Sequence, residues 1–201
     1  MPECGYGDDT GSSALKIEEC GLTKDDVLFD EQQIADRLAE IAAELDAKYA
    51  DDGLLIVGVL TGAFMIVADL ARQMSSHVEI DWMGISSYGN GTRSSGTIKA
   101  TKDIGVDVTG RNVLLVDDIL ETGLTLSWLN SQMRARRAAS VESCVLLRKP
   151  AAPTRRIDAQ YVGFDIPDVF AVGFGLDHAG RFRNLRCVAK AKKTDAEIQG
   201  S

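Results

Sequence analysis

Between Glu31 and Tyr49 the apolar residues Ile34, Leu38, Ile41, Ala42 and Leu45 return every three or four positions, with charged residues between them. That spacing draws one apolar stripe along a helix, and Asp30 stands where a side-chain cap for its first amides belongs. The pattern then changes. Leu54 to Leu60 (LLIVGVL) is a continuous apolar run of strand length, closed by Thr61-Gly62, after which Phe64, Val67, Ala68, Leu70 and Ala71 resume helical spacing. The same grammar recurs in Val113 to Asp118 (VLLVDD), a turn holding Gly123, and a helix over about Thr125 to Arg136. Val141 to Leu147 reads as a further apolar strand. Strands apolar on both faces and separated by helices predict an α/β fold with a mainly parallel central sheet and right-handed crossovers. Such sheets bind ligands beyond the C-terminal ends of their strands.

Two stretches break the pattern. Residues 1–23 are rich in Gly, Ser and acids without periodicity, which predicts a disordered extension that the fold can lose at no cost. Ser86 to Gly96 is polar, glycine-rich and long for a simple connection, which predicts a mobile lid or hairpin tip. A single domain is expected over residues 24–193, with 194–201 as a tail.

Length and composition are consistent with that domain. The chain has 201 residues, 45% of them apolar, enough for one sizeable core. No run approaches the roughly 18 to 20 apolar residues of a membrane span, and the first 25 residues are acidic, so neither a membrane nor a secretory role is expected. Cys4, Cys20, Cys144 and Cys187 form no CxxC pair, and only His77 and His178 accompany them, so zinc spacing is absent and reduced cytoplasmic thiols are expected. The net charge of −8 argues against nucleic acid as a partner. Residues 1–60 hold 15 acids against 4 bases, leaving 15 acids against 18 bases for residues 61–201. A local phosphate site fits the second part.

The candidate chemistry lies in Val113-Leu114-Leu115-Val116-Asp117-Asp118-Ile119-Leu120-Glu121-Thr122-Gly123-Leu124-Thr125. Two adjacent carboxylates are expected at a strand's end, beside a Thr-Gly-x-Thr turn and a helix N-terminus that favours a phosphate. Acids beside an anion site repel the anion unless a hydroxyl pair or a cation lies between them. A ligand carrying both a phosphate and a diol resolves the conflict.

This segment resembles the phosphoribosyl pyrophosphate motif of the type I phosphoribosyltransferases. The similarity extends over roughly residues 25–190 and points to the hypoxanthine-guanine phosphoribosyltransferase group. It implies that fold, with a small hood and a mobile loop, and a reaction that joins a 6-oxopurine to phosphoribosyl pyrophosphate with Mg2+ as cofactor. It implies further that Asp117 and Asp118 hold the ribose hydroxyls and that Glu121, Thr122, Gly123, Leu124 and Thr125 hold the 5′-phosphate. The family usually has Glu-Asp and then an Asp three residues later. Here Asp117-Asp118 is followed by Glu121, so the role of general base at the purine N7 passes to a side chain one methylene longer.

The other motifs carry implied roles of the same kind. Lys149, after Leu146-Leu147-Arg148, matches a lysine that donates to the 6-oxo group, which disfavours adenine. In Val162 to Asp177 (VGFDIPDVFAVGFGLD), Phe170 stacks on the base, Ala171 offers backbone groups to its edge, and Asp177 holds Mg2+ near the pyrophosphate, with Asp117 and Asp118 reaching metal only through ribose hydroxyls or water. Thr61 and Gly62 offer amides to pyrophosphate, through a peptide the family can hold in the cis form, and Arg183 neutralises the leaving group's charge. Many family members carry Lys or Arg where this chain has Thr61. Ser87-Tyr88 matches the Ser-Tyr of a loop that closes over the reactants. A homodimer or homotetramer is implied as well. Two other readings of the residues stand beside this one: an enzyme that prefers xanthine, and a non-catalytic sensor of phosphoribosyl pyrophosphate.

Overall fold

The computed structural model of the chain describes residues 15–88, 97–150 and 157–191. Its centre is a six-stranded sheet of β2 (Leu54–Leu60), β3 (Val78–Tyr88), β4 (Thr97–Lys102), β5 (Asn112–Leu120), β6 (Ser140–Arg148) and β7 (Tyr161–Asp165). The strand order is β4-β3-β2-β5-β6-β7. All neighbours are parallel except β3 and β4, which form an antiparallel pair. That pair flanks residues 89–96, most of the stretch where a mobile lid or hairpin tip is expected, which lie outside the described residues.

Among the described residues three α-helices cover the sheet: α1 (Glu31–Tyr49), α2 (Phe64–Gln73) and α3 (Leu124–Ala135). α1 starts where the sequence places it. The Asp30 carboxylate accepts from the Gln33 amide at 2.8 Å, and the Gln33 side chain accepts from the Asp30 amide at 2.9 Å, a reciprocal cap. Its stripe of Ile34, Leu38, Ile41 and Leu45 is buried together with Ile66, Val67 and Leu70 of α2 on one face of the sheet, whereas Leu126, Leu129 and Met133 of α3 pack on the other. β5 shows the alternation that joins the two layers. Leu114 and Val116 enter the first cluster, Val113 and Leu115 the second.

A small second sheet, β1 (Val27–Phe29), β9 (Val188–Lys190) and β8 (Ala171–Val172), forms the hood. It joins the main sheet through Phe29, whose ring stacks on Phe164 of β7 with centroids 3.9 Å apart. Arg37 of α1 also donates to the Val162 carbonyl at 2.9 Å, tying the helix to the edge strand.

The expected extension over residues 1–23 is described from Leu15 onward. Residues 17–20 form a 3-10 turn, and Leu22 is buried against Val172, Leu185 and Ala189. Leu15, Ile17 and Cys20 pack beside Leu22 as partly buried neighbours, at spacings that follow neither a helical nor a strand period. No helix among the described residues is long and apolar enough to cross a membrane.

Candidate active site

β5 carries the acidic pair, but not at its end as the sequence suggests. The strand continues through Ile119 and Leu120, which pair with Leu147 and Arg148 of β6, and the Lys149 amide donates to the Leu120 carbonyl at 3.0 Å. The two carboxylates are therefore held inside the sheet's last turns of pairing, and Asp117 is only 8% exposed. Burial, and then the charge of Asp118, push the Asp117 carboxyl well above its ordinary range. Burial raises Asp118 also, opposed by backbone hydrogen bonding, by Asp117 and by the charge of Arg183. A pair this close and this buried resists holding two charges without a ligand.

After β5 the chain turns at Glu121-Thr122-Gly123. Gly123 sits at φ +70, in the left-handed region, and an added Cβ would lie 2.9 Å from the Ile157 carbonyl oxygen. As N-cap of α3 it brings no side chain to the helix's first amides, and the Thr122 hydroxyl approaches one, 3.4 Å from the Leu124 amide. The turn, Thr125 and both acids line a cleft of about 290 Å3, with Val59 and Ile85 opposite. Its shape and polarity suit a phosphate on the helix N-terminus and hydroxyls on the carboxylates.

The turn after β2 reaches the same place. The Leu60–Thr61 peptide is cis. A Cβ on Gly62 would fall 1.6 Å from Asp118 Oδ2, and one on Gly175 would fall 2.2 Å from the Gly62 carbonyl oxygen. Three backbone segments thus meet at a spacing that only glycine allows. The sequence shows Gly62 as an amide donor; its close approach to Asp118 appears only in the fold.

A smaller pocket of about 160 Å3 adjoins the cleft and gathers Asp118, Ile119, Glu121, Lys149, Phe170, Ala171, Leu176 and Asp177. The residues assigned to the base are therefore brought together. Lys149, mostly buried, is ion-paired with Glu121 and lies 3.2 Å from Asp168. Burial by itself would depress the ammonium's pKa, yet these two carboxylates outweigh it and raise it. Sequence reasoning assigned nothing to Asp168, which sits inside the quoted motif but carries no signal separating it from an ordinary loop acid. Arg183 and Asp177, given separate tasks from the sequence, are paired at 2.6 Å, and Arg183 donates to the Gly175 carbonyl at 2.6 Å. Ser87 and Tyr88 end β3, and their side chains lie outside the described residues.

For Mg2+, the donor set is sparse. Among the described residues no three His, Cys, Asp or Glu side chains converge. Asp177, in the lining of the base pocket, offers a carboxylate oxygen, the donor type a hard cation takes beside phosphate and water oxygens.

The chain matches the phosphoribosyl transferase domain family over residues 25–179. It is 44% identical over 166 residues to the hypoxanthine-guanine phosphoribosyltransferase of Bacillus subtilis, covering 83% of this chain and 92% of that one. It is 45% identical over 159 residues to the bifunctional protein TilS/HprT of Listeria innocua, covering 79% of this chain and 24% of that longer protein. The crystal structure of a hypoxanthine phosphoribosyltransferase from Staphylococcus aureus superposes with a TM-score of 0.82 at 37% identity, covering 88% of this chain and 95% of that one.

Proposed function

The chain belongs to the phosphoribosyltransferase family, in its hypoxanthine-guanine branch, and from that premise we propose that it makes IMP or GMP from hypoxanthine or guanine and phosphoribosyl pyrophosphate. It is a pentosyl-transferring enzyme of purine salvage. The observation that carries the finer reading is the junction of two pockets: a phosphate-and-diol cleft and a base pocket share Asp118, Ile119 and Glu121. A sugar bound in the first presents C1′ to a base bound in the second.

In this reading Asp117 and Asp118 accept from the ribose hydroxyls, the Thr122–Thr125 amides hold the 5′-phosphate, and Thr61 and Gly62 hold pyrophosphate. Phe170 stacks on the purine and Ala171 meets its edge through the backbone. Lys149 exchanges its Glu121 partner for the 6-oxo group, which frees the Glu121 carboxylate to face N7. The purine N9 lone pair forms the bond to C1′ as the C1′–O bond breaks, its electrons leaving with pyrophosphate, and the N7 proton passes to Glu121. Arg183 turns from Asp177 to the leaving group, whose charge it neutralises. Asp177 would hold Mg2+, which would supply charge neutralisation at the pyrophosphate. The strand-end residues Ser87 and Tyr88 belong to the loop that covers the reactants. A cytoplasmic homodimer or homotetramer, acting without nucleic acid or membrane, completes the proposal.

The test is incubation of the purified protein with Mg2+, phosphoribosyl pyrophosphate and each of hypoxanthine, guanine, xanthine and adenine, following nucleotide by absorbance. Turnover of hypoxanthine or guanine is expected, lost on chelation with EDTA and reduced in Glu121→Ala. Xanthine turned over in preference would move the 2-substituent assignment, and tight phosphoribosyl pyrophosphate binding without product from any base would make the site a sensor.

A further inference from the structure

Stacking selects a purine only if the plane of the stacking ring is fixed, and Phe170 is 42% exposed, so packing alone does not fix it. Among the described residues its ring meets one aromatic partner. The imidazole of His178 lies 5.3 Å away, centroid to centroid, with the planes at 74°, an edge-to-face arrangement. His178 itself opens a tight turn whose backbone is pinned from several sides. Its amide donates to the Arg181 carbonyl at 3.2 Å, and the Arg181 amide returns the bond at 3.0 Å. Ala179 and Gly180 between them adopt φ of 51 and 79, and the Gly180 amide donates to the Asp177 carboxylate at 2.7 Å. A ring mounted on a rigid turn therefore abuts a ring mounted on an exposed loop.

We propose that His178 is a positioning residue for the base: its ring sets the plane of Phe170 and so the plane of the bound purine. The proposal rests on the reading of Phe170 as the stacking residue. His178 follows Asp177 directly, and Asp177 is paired with Arg183, so a single turn fixes the purine's plane and the pyrophosphate side relative to each other. His178 touches neither reacting atom, and its effect passes through Phe170.

The test is a cycle of His178→Ala, Phe170→Ala and the double variant, with His178→Phe as the conservative replacement. Initial rates are measured with hypoxanthine and phosphoribosyl pyrophosphate varied separately. His178→Ala is expected to raise KM for hypoxanthine about three- to tenfold, the range an aromatic pair supports, with kcat and KM for phosphoribosyl pyrophosphate within about twofold. His178→Phe restores the wild-type KM because the edge-to-face contact needs a ring and not a nitrogen. In the Phe170→Ala background the loss of His178 adds nothing. An unchanged hypoxanthine KM in His178→Ala while Phe170→Ala raises it would overturn the proposal, as would equal effects in both backgrounds or an equal rise in both substrates' KM. An unchanged KM in Phe170→Ala would overturn the stacking reading, and the proposal with it.

Discussion

At the scale of single residues the acidic pair on β5 sets the terms. Asp117 is held above its ordinary value near 3.8 by burial and by Asp118, so the folded protein binds a proton more tightly than the unfolded chain does. Stability from that proton is complete at pH below 3.8 and is lost as pH rises through the raised folded value. Replacing Asp117 with Asn removes the titration. In melts across the pH range, wild-type Tm is expected to fall relative to Asp117→Asn as pH climbs, and parallel curves would refute the assignment. The same variant should raise KM for phosphoribosyl pyrophosphate roughly ten- to a hundredfold, because an amide nitrogen replaces a carboxyl oxygen that meets the ribose hydroxyls. The pair itself was legible from apolar residues running into two acids. Its burial was not, since nothing in Ile119-Leu120 told a strand continuing beside β6 from a turn that had already begun.

Elements were read well where periodicity was long and poorly where it was short. The stripe of α1 and the run of β2 gave their bounds to the residue, because burial on one face or on both leaves a pattern over many positions. The hood strands did not appear in advance: β8 has two residues and β1 three, too few for any period to show. The contact between elements was equally silent. The turn after β2 passes so close to β5 and to the segment after β8 that Gly62 and Gly175 carry no room for a side chain. Gly62→Ala must displace the Asp118 carboxylate. Overpacking of this kind costs about 1–3 kcal/mol, read as a lower urea midpoint, and it should weaken phosphoribosyl pyrophosphate binding in the same sample. A variant with wild-type affinity would mean that Asp118 shifts freely and is not set by that contact.

Across the whole molecule the site is divided between two bodies, and that division makes their connection a functional matter. The phosphate cleft belongs to the main sheet, through β5 and α3, whereas Ala171 lies on hood strand β8. The hood packs on the main core through Ala171, Val188 and the Phe29–Phe164 stack, and is held together internally by the cluster of Leu22, Val172, Leu185 and Ala189. Leu22 is 6% exposed and comes from the stretch that composition alone marked as dispensable. Leu22→Ala should cost about 2–5 kcal/mol in denaturant unfolding, as core truncations do. Because the loss falls on the hood, its kinetic signature should be one-sided: KM for hypoxanthine rises more than KM for phosphoribosyl pyrophosphate, measured at a temperature where the variant is fully folded. Equal rises would mean that hood and sheet loosen together as one unit, and no loss of stability would return Leu22 to the extension that the sequence first suggested.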